Sequence, residues 1–208
     1  MAPVTHPTDP KSLQPVGAHG LGEAPEATGR ALEDLERALD PIRAALRGAE
    51  AVLLDLGGVL VPDGWEALVL SDGGIADHFG VDRARAAAAG RSIWDAFADR
   101  PRDEADYLAA LAAALDLPPI PQALVDAIAE RSIVPLPGGR ALLEACRMSG
   151  AAIGVVTDTA AFVFERQARV LAMEAWLDPE LRFTSHQTGL RKKHGLFEHA
   201  RARTAGRA

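Results

Sequence analysis

The stretch AVLLDLGG, residues 51–58, decides the fold class of this chain of 208 residues. Its apolar part is short and unbroken, which is typical of a strand that is buried on both faces of a parallel sheet. A second run of this kind, residues 151–156, ends at Thr157, and residues 181–184 are expected to form a short third strand. Helical patterns separate these runs. The sequence therefore predicts an α/β fold with a parallel sheet.

Asp55 stands directly after the first predicted strand, and two glycines follow it closely. Ligands of open α/β sheets bind beyond the carboxyl ends of the strands. Gly57 and Gly58 would allow backbone amides to approach an anionic group there. Asp55 is therefore a candidate functional residue, although an aspartate that only ends a strand would give the same local pattern.

The rest of the chain divides by composition and periodicity. A segment rich in proline and glycine cannot bury enough apolar surface to order itself, and it predicts a disordered tail. Leucines at three- and four-residue steps then predict a helix, which Asp40-Pro41 either kinks or restarts. A later region shows only short amphipathic patterns, three or four in number, and predicts a helical insert. The predicted units are residues 1–27 (tail), 28–49 (helix), 50–63 with 135–208 (core) and 64–134 (insert).

Composition narrows the function classes. The net charge of −7 argues against a nucleic-acid partner, because phosphate backbones require a basic face. The basic segment 191–208 lacks interleaved aromatic residues and is expected to be a solvated helix. No apolar run approaches the roughly 20 residues that span a bilayer. The single cysteine, Cys146, cannot form a disulfide within the chain, and the N-terminal residues do not lead us to expect a secretory signal. A cytoplasmic location without a membrane partner is the expectation.

Three short motifs resemble those of the haloacid-dehalogenase-type (HAD) hydrolase superfamily. VLLDLGGVL, residues 52–60, is similar to its first motif, which implies that Asp55 is a nucleophile that forms a covalent intermediate. IGVVT, residues 153–157, resembles the second, which implies that Thr157 hydrogen-bonds the transferring group. GLRK, residues 189–192, resembles the third, which implies that Lys192 neutralises charge on the nucleophile and the phosphoryl oxygens.

This resemblance covers roughly residues 51–200 and implies a Rossmann-type, HAD-like sheet with the insert as its small helical cap. It also implies that Gly57, Gly58, Asp158 and Arg191 bind substrate or phosphate. A Mg²⁺ ion is expected at Asp55, the backbone carbonyl of Gly57 and Asp158. For Asp158, which stands where the family usually has asparagine, capping of the following helix is the favoured alternative.

The sequence departs from the family pattern in ways that bear on chemistry. Gly57 replaces the usual second aspartate and removes the obvious proton donor. Lys193 replaces the usual proline and adds positive charge. The acidic pair of the fourth motif does not follow Lys192, so we expect Mg²⁺ to be held weakly. The strand of that motif is missing as well, so residues 51–56 are expected to form an exposed sheet edge that pairs with a second copy or a partner chain.

The function that these observations favour is hydrolysis of a small phosphorylated metabolite through an aspartyl-phosphate on Asp55, with Mg²⁺ as cofactor. Two alternatives remain open at this point. One is a metal-independent relative that displaces halide from a haloacid with the same aspartate and lysine. The other is a degenerate or truncated chain that binds a ligand without turnover.

Overall fold

The computed structural model describes residues 25–100 and 103–205. Two 3₁₀ turns, Met173–Ala175 and Lys192–His194, join the last elements of the chain. The helices and strands of the described ranges, in chain order, are α1 Pro25–Leu46, β1 Ala51–Leu54, α2 Gly64–Val69, α3 Ile75–Phe79, α4 Arg83–Phe97, α5 Glu104–Leu115, α6 Gln122–Ser132, α7 Pro137–Ser149, β2 Ala152–Thr157, α8 Ala161–Val170, β3 Leu177–Thr184, α9 Ser185–Thr188 and α10 Leu196–Thr204.

In the part of the chain that the structure describes, the sheet has three parallel strands in the order β1-β2-β3, which confirms the predicted α/β class. β2 lies in the centre and is almost wholly buried, whereas β3 lies at one edge. β3 begins at Leu177, four residues earlier than the apolar pattern indicates. Its first half contains Asp178, Pro179 and Glu180, so only the buried second half has an apolar signal.

β1 forms the opposite edge of the sheet, as the sequence predicts. Within the described residues it pairs only with β2, from Ala51 opposite Ala152 to Leu54 opposite Val155. Its other side presents backbone groups that a further strand could use. Helix α1 packs against α7 and does not extend the sheet. Pairing of this edge with a second copy or another chain stays a prediction.

Helix α1 begins earlier than predicted, and the structure decides between the two alternatives at Asp40-Pro41. It begins at Pro25, so the described part of the predicted tail is helical, while residues 1–24 lie outside the described residues. It also runs through Pro41 as one element, so a second helix start at Asp40-Pro41 is wrong. Leu39 and Leu46 on its apolar face are buried, and this packing offsets the helix-breaking tendency of Pro41.

The described part of the insert, residues 64–100 and 103–134, contains five helices, α2–α6, where the sequence predicts three or four. The two short ones, α2 and α3, have only six and five residues, too few to show a helical repeat. Buried apolar residues of the insert, such as Trp94 and Tyr107, belong to one continuous cluster with Leu54 and Val155 of the sheet. The insert and the sheet therefore share one hydrophobic core.

Helix α10 is not the fully solvated helix that its basic composition predicts. Leu196 and Ala200, one turn apart, are buried against Leu181 and Phe183 of β3. These two residues are the whole buried apolar face of the helix, so the arginines around them dominate its sequence pattern. None of the helices in the described ranges is both long enough and apolar enough to cross a lipid bilayer.

Gly154 is the tightest point of the sheet and yields a stability prediction. A Cβ there would lie 2.4 Å from Leu181 Cβ, 2.5 Å from the Leu181 carbonyl oxygen and 2.6 Å from Leu53 Cδ2, so β3 and the Leu53 side chain would have to move. We expect Gly154→Ala to destabilise the protein by about 1–3 kcal/mol, measured by urea unfolding. Gly150→Asn is the control, because that position has open space and a φ of +77° that asparagine tolerates. Equal stabilities of the two variants would contradict the packing argument.

Candidate functional site

A cavity of about 360 Å³ lies where β1 and β2 end and the insert covers the sheet. It brings together six of the seven residues that the sequence assigns to a site. These are Asp55, Gly57, Thr157, Asp158, Arg191 and Lys192. The parallel strands account for this convergence, because their carboxyl ends meet at one edge of the sheet.

Asp55 and Lys192 form an ion pair in this cavity although 137 residues separate them in the sequence. Lys192 Nζ lies 2.5 Å from Asp55 Oδ2, and both side chains are less than one third exposed. The other carboxylate oxygen, Oδ1, accepts a hydrogen bond from the backbone N–H of Leu56 at 2.8 Å. The carboxylate is therefore fixed at both oxygens at the end of β1.

Asp158 does not cap α8, so the favoured prediction for this residue is wrong. The helix begins after Ala160, without a side-chain cap. Asp158 instead accepts hydrogen bonds from Arg191 Nε at 3.0 Å and from the backbone N–H of Lys192 at 2.8 Å. The reason is electrostatic, because the hydrogen bond between a carboxylate and a guanidinium joins two opposite charges. Asp158 thus fixes the loop that carries Lys192.

The guanidinium of Arg191 forms ion pairs within the protein and is not free to bind phosphate. Its side chain is only 10% exposed, and it bridges Asp158 of the core to Asp95 on α4 of the insert. Nη2 lies 3.3 Å from Asp95 Oδ1, and Nη1 lies 3.4 Å from the Asp95 carbonyl oxygen. Arg191 is therefore a tie between the core and the insert.

Thr157 ends β2 and lines the cavity while being almost fully buried. The neighbouring Thr159 N–H donates to the Ser185 hydroxyl at 2.9 Å. Ser185 in turn hydrogen-bonds the carbonyl of Ala98, just after α4. The segment after β2 is thus held to both α9 and the insert.

The two glycines after Asp55 have different positions. Gly57 lines the cavity, whereas Gly58 is not among the residues that line it. Gly58 has a φ of +75°, and its N–H donates to the carbonyl of Val61 at 2.7 Å. Its amide closes the turn after β1 and is not available to an anion, which argues against the binding role predicted for Gly58.

Asp63 is a site residue that the sequence analysis missed. A Cβ placed on Gly57 would lie 3.5 Å from Asp63 Oδ2, so this carboxyl group lies beside the position of the family's second aspartate. Burial raises the pKa of Asp63 above its ordinary value of 3.8, and the charges of Glu66 and Asp55 raise it further. The Trp65 N–H and Lys192 act in the opposite direction. In the sequence Asp63 stands between Pro62 and Gly64 and indicates only a turn.

The insert contributes aromatic and cationic groups to the cavity. Trp65 of α2 and Trp94 of α4 line it with buried rings. The guanidinium carbon of Arg91 lies 5.9 Å from the centroid of the Trp65 ring, within the range of a cation–π contact. Gly90 permits this arrangement, since a Cβ there would lie 2.8 Å from Trp65 ring atoms.

The residues predicted to hold Mg²⁺ do not assemble as a ligand set. Asp55 is paired with Lys192, and both oxygens of Asp158 accept hydrogen bonds from Arg191 and Lys192. Within the described ranges, no three side chains of histidine, cysteine, aspartate or glutamate are grouped so that they could hold a metal ion. Because Mg²⁺ needs several oxygen ligands in near-octahedral geometry, these residues as they stand do not fit it.

Comparison with known proteins adds no family assignment. No protein-family model matches the chain, and no curated protein matches its sequence. The resemblance to HAD hydrolases therefore stays a prediction from three short motifs and a partly matching architecture.

Asp63 yields a prediction about stability. Since its pKa is higher in the folded than in the unfolded chain, the folded state binds the proton more tightly, and ionisation at neutral pH costs stability. We expect Asp63→Asn to raise Tm at pH 7. The gain should disappear as pH falls below the ordinary carboxyl pKa, where both states are protonated.

Differential scanning calorimetry of the two proteins at several pH values measures this effect. Glu174→Gln is the control, because it removes an exposed carboxylate outside the cavity. A lower Tm for Asp63→Asn at pH 7 would show that the ionised carboxylate stabilises the fold.

Proposed function

We propose that this chain is a HAD-type hydrolase that releases phosphate from a small phosphorylated metabolite through an aspartyl-phosphate on Asp55. The observation that carries the proposal is the Asp55–Lys192 ion pair of 2.5 Å, placed at the carboxyl end of β1 and next to Thr157. An aspartate at a strand end needs a fixed cation beside it to accept an anionic substrate. Lys192 is that cation.

The proposed reaction has two steps. In the first, a carboxylate oxygen of Asp55 attacks phosphorus, and the bond from phosphorus to the leaving oxygen breaks. Lys192 and the Thr157 hydroxyl stabilise the charge on the phosphoryl oxygens. In the second step, water attacks the aspartyl-phosphate, which releases phosphate and restores the carboxylate.

Asp63 is the group that we propose as proton donor to the leaving alcohol. It lies beside Gly57, at the place where HAD phosphatases usually carry their acid, and it lines the same cavity as Asp55. Its carboxyl group thus reaches that place from the start of α2 rather than from the strand end. General acids contribute when they lie within hydrogen-bond reach of the leaving atom.

Displacement of halide from a small haloacid is the second candidate. It is favoured by the direct pairing of Asp55 with Lys192, since this reaction uses the same aspartate and lysine and halide needs no proton to leave. In that reaction Asp55 attacks carbon, halide departs and water hydrolyses the ester. Parallel assays of phosphate release from aryl phosphate and of halide release from 2-chloropropanoate distinguish the two.

The nucleophile and the cation yield the first test of the proposed function. We expect Asp55→Asn to abolish turnover while the fold is retained, since the side chain lies at the edge of the core. We expect Lys192→Ala to reduce kcat by about 10²-fold, a typical loss for one fixed electrostatic group.

Steady-state kinetics on an aryl phosphate measures both effects, and circular dichroism checks the fold. Lys193→Ala is the matched variant, because Lys193 also lines the cavity but forms no ion pair with Asp55 among the described residues. Full activity in Asp55→Asn would refute the proposal. A loss in Lys193→Ala as large as that in Lys192→Ala would refute the role of Lys192.

The leaving group tests the proposed role of Asp63. An alkyl alcohol needs a proton to leave, whereas nitrophenolate leaves without one. We expect Asp63→Asn to reduce kcat on an alkyl phosphate by about 10²-fold and on nitrophenyl phosphate much less. Similar losses on the two substrates would mean that Asp63 acts in another way.

A further inference from the structure

The cavity contains more cations than its internal ion pairs use. Lys192 is paired with Asp55, and Arg191 is paired with Asp95 and Asp158. Arg91 and Lys193 also line the cavity, and neither takes part in an ion pair among the described residues. Asp63 is the remaining acid, and it lies on the Gly57 side, where burial disfavours its charged form. Two positive groups are therefore available to a ligand.

Arg91 differs from the other arginines of its helix. Arg83 and Arg85, also on α4, pair with Asp72 and Asp116 outside the cavity. Arg91 instead lies over the Trp65 ring. This ring packs closely against α4 because Gly90 has no side chain. A cation–π contact engages the face of the guanidinium and leaves its N–H edge free. That edge is the part that binds a carboxylate through two parallel hydrogen bonds.

We propose that Arg91 binds a second anionic group of the substrate, a carboxylate, so that the preferred substrate is a small phosphorylated carboxylic acid. This inference rests on the proposed function, since it places the phosphoryl group at Asp55, Thr157 and Lys192. The carboxylate lies on the insert side of the cavity, where α4 presents Arg91.

The size and lining of the cavity agree with this substrate class. Its volume of about 360 Å³ lies at the lower end of the range for ligand pockets, roughly 300–1,000 Å³. The buried rings of Trp65 and Trp94 give the cavity an apolar part, which suits a short carbon chain. A phosphate ester of the same length without a carboxylate would leave Arg91 without a partner.

The test compares two substrates of matched size, the phosphate ester of 3-hydroxypropanoate and propyl phosphate. We expect Arg91→Gln to lower kcat/KM on the acid by about 10-fold or more, mainly through KM, because a hydrogen-bonded charge is lost. Its kcat/KM on propyl phosphate should change by less than about 2-fold. Arg85→Gln, on the same helix but outside the cavity, should leave both values unchanged. Equal changes on the two substrates would overturn the inference.

A binding measurement separates this inference from the proposed function. Isothermal titration of the wild type and Arg91→Gln with 3-phosphonopropanoate, whose P–C bond is not hydrolysed, needs no turnover. We expect Kd to rise at least about 10-fold in the variant, and propylphosphonate to bind both proteins equally weakly. If no phosphate ester is hydrolysed but this difference is found, the proposed function fails and the anion site stands. Equal binding of 3-phosphonopropanoate by both proteins, or none, overturns the anion site.

Discussion

The carboxylate of Asp158 is the constraint on which the cavity depends. One oxygen accepts from Arg191 Nε and the other from the backbone N–H of Lys192, so one side chain fixes two successive residues of the loop. Once the loop is fixed, Lys192 reaches Asp55 and Arg191 reaches Asp95 on α4. An asparagine at position 158 would offer one acceptor and no charge, and it could not hold both residues in this way.

Further hydrogen bonds and ion pairs connect the core with the insert. Ser185 joins the segment after β2 to the end of α4 through the carbonyl of Ala98. Farther from the cavity, Arg166 of α8 pairs with Glu104 of α5 and with Asp126 of α6, and its side chain is only 15% exposed. Partly buried ion pairs cost desolvation, so their value lies in fixing geometry more than in net stability. The Ser185 hydrogen bond fixes the end of α4 relative to α9, and the two ion pairs of Arg166 fix α5 and α6 relative to α8.

The sequence predicts those features that have a strong local signal. The unbroken apolar runs locate β1 and β2. Because these strands are parallel, Asp55 and Thr157 lie at the same edge of the sheet, where the carboxyl ends of the strands meet. Lys192 was located by motif alone, and the structure places it against Asp55. The partners of Asp158 and Arg191 could not be predicted, because a carboxylate gives no local sign of whether it caps a helix or pairs with a distant guanidinium. Asp63 was missed for the same reason: its position beside Gly57 comes from the turn that Gly58 closes.

The shared hydrophobic core has a consequence for how this architecture could be altered. Trp94 and Tyr107 of the insert belong to the same hydrophobic cluster as Leu54 and Val155 of the sheet, so the core is continuous between the two regions. The insert is therefore not a structural unit with a hydrophobic core of its own. Grafting it onto another sheet, or replacing it with a different element, would expose the apolar residues that the two regions share. New specificity in this scaffold has to come from single side chains at the cavity wall, because the helices that carry them cannot be exchanged as a unit.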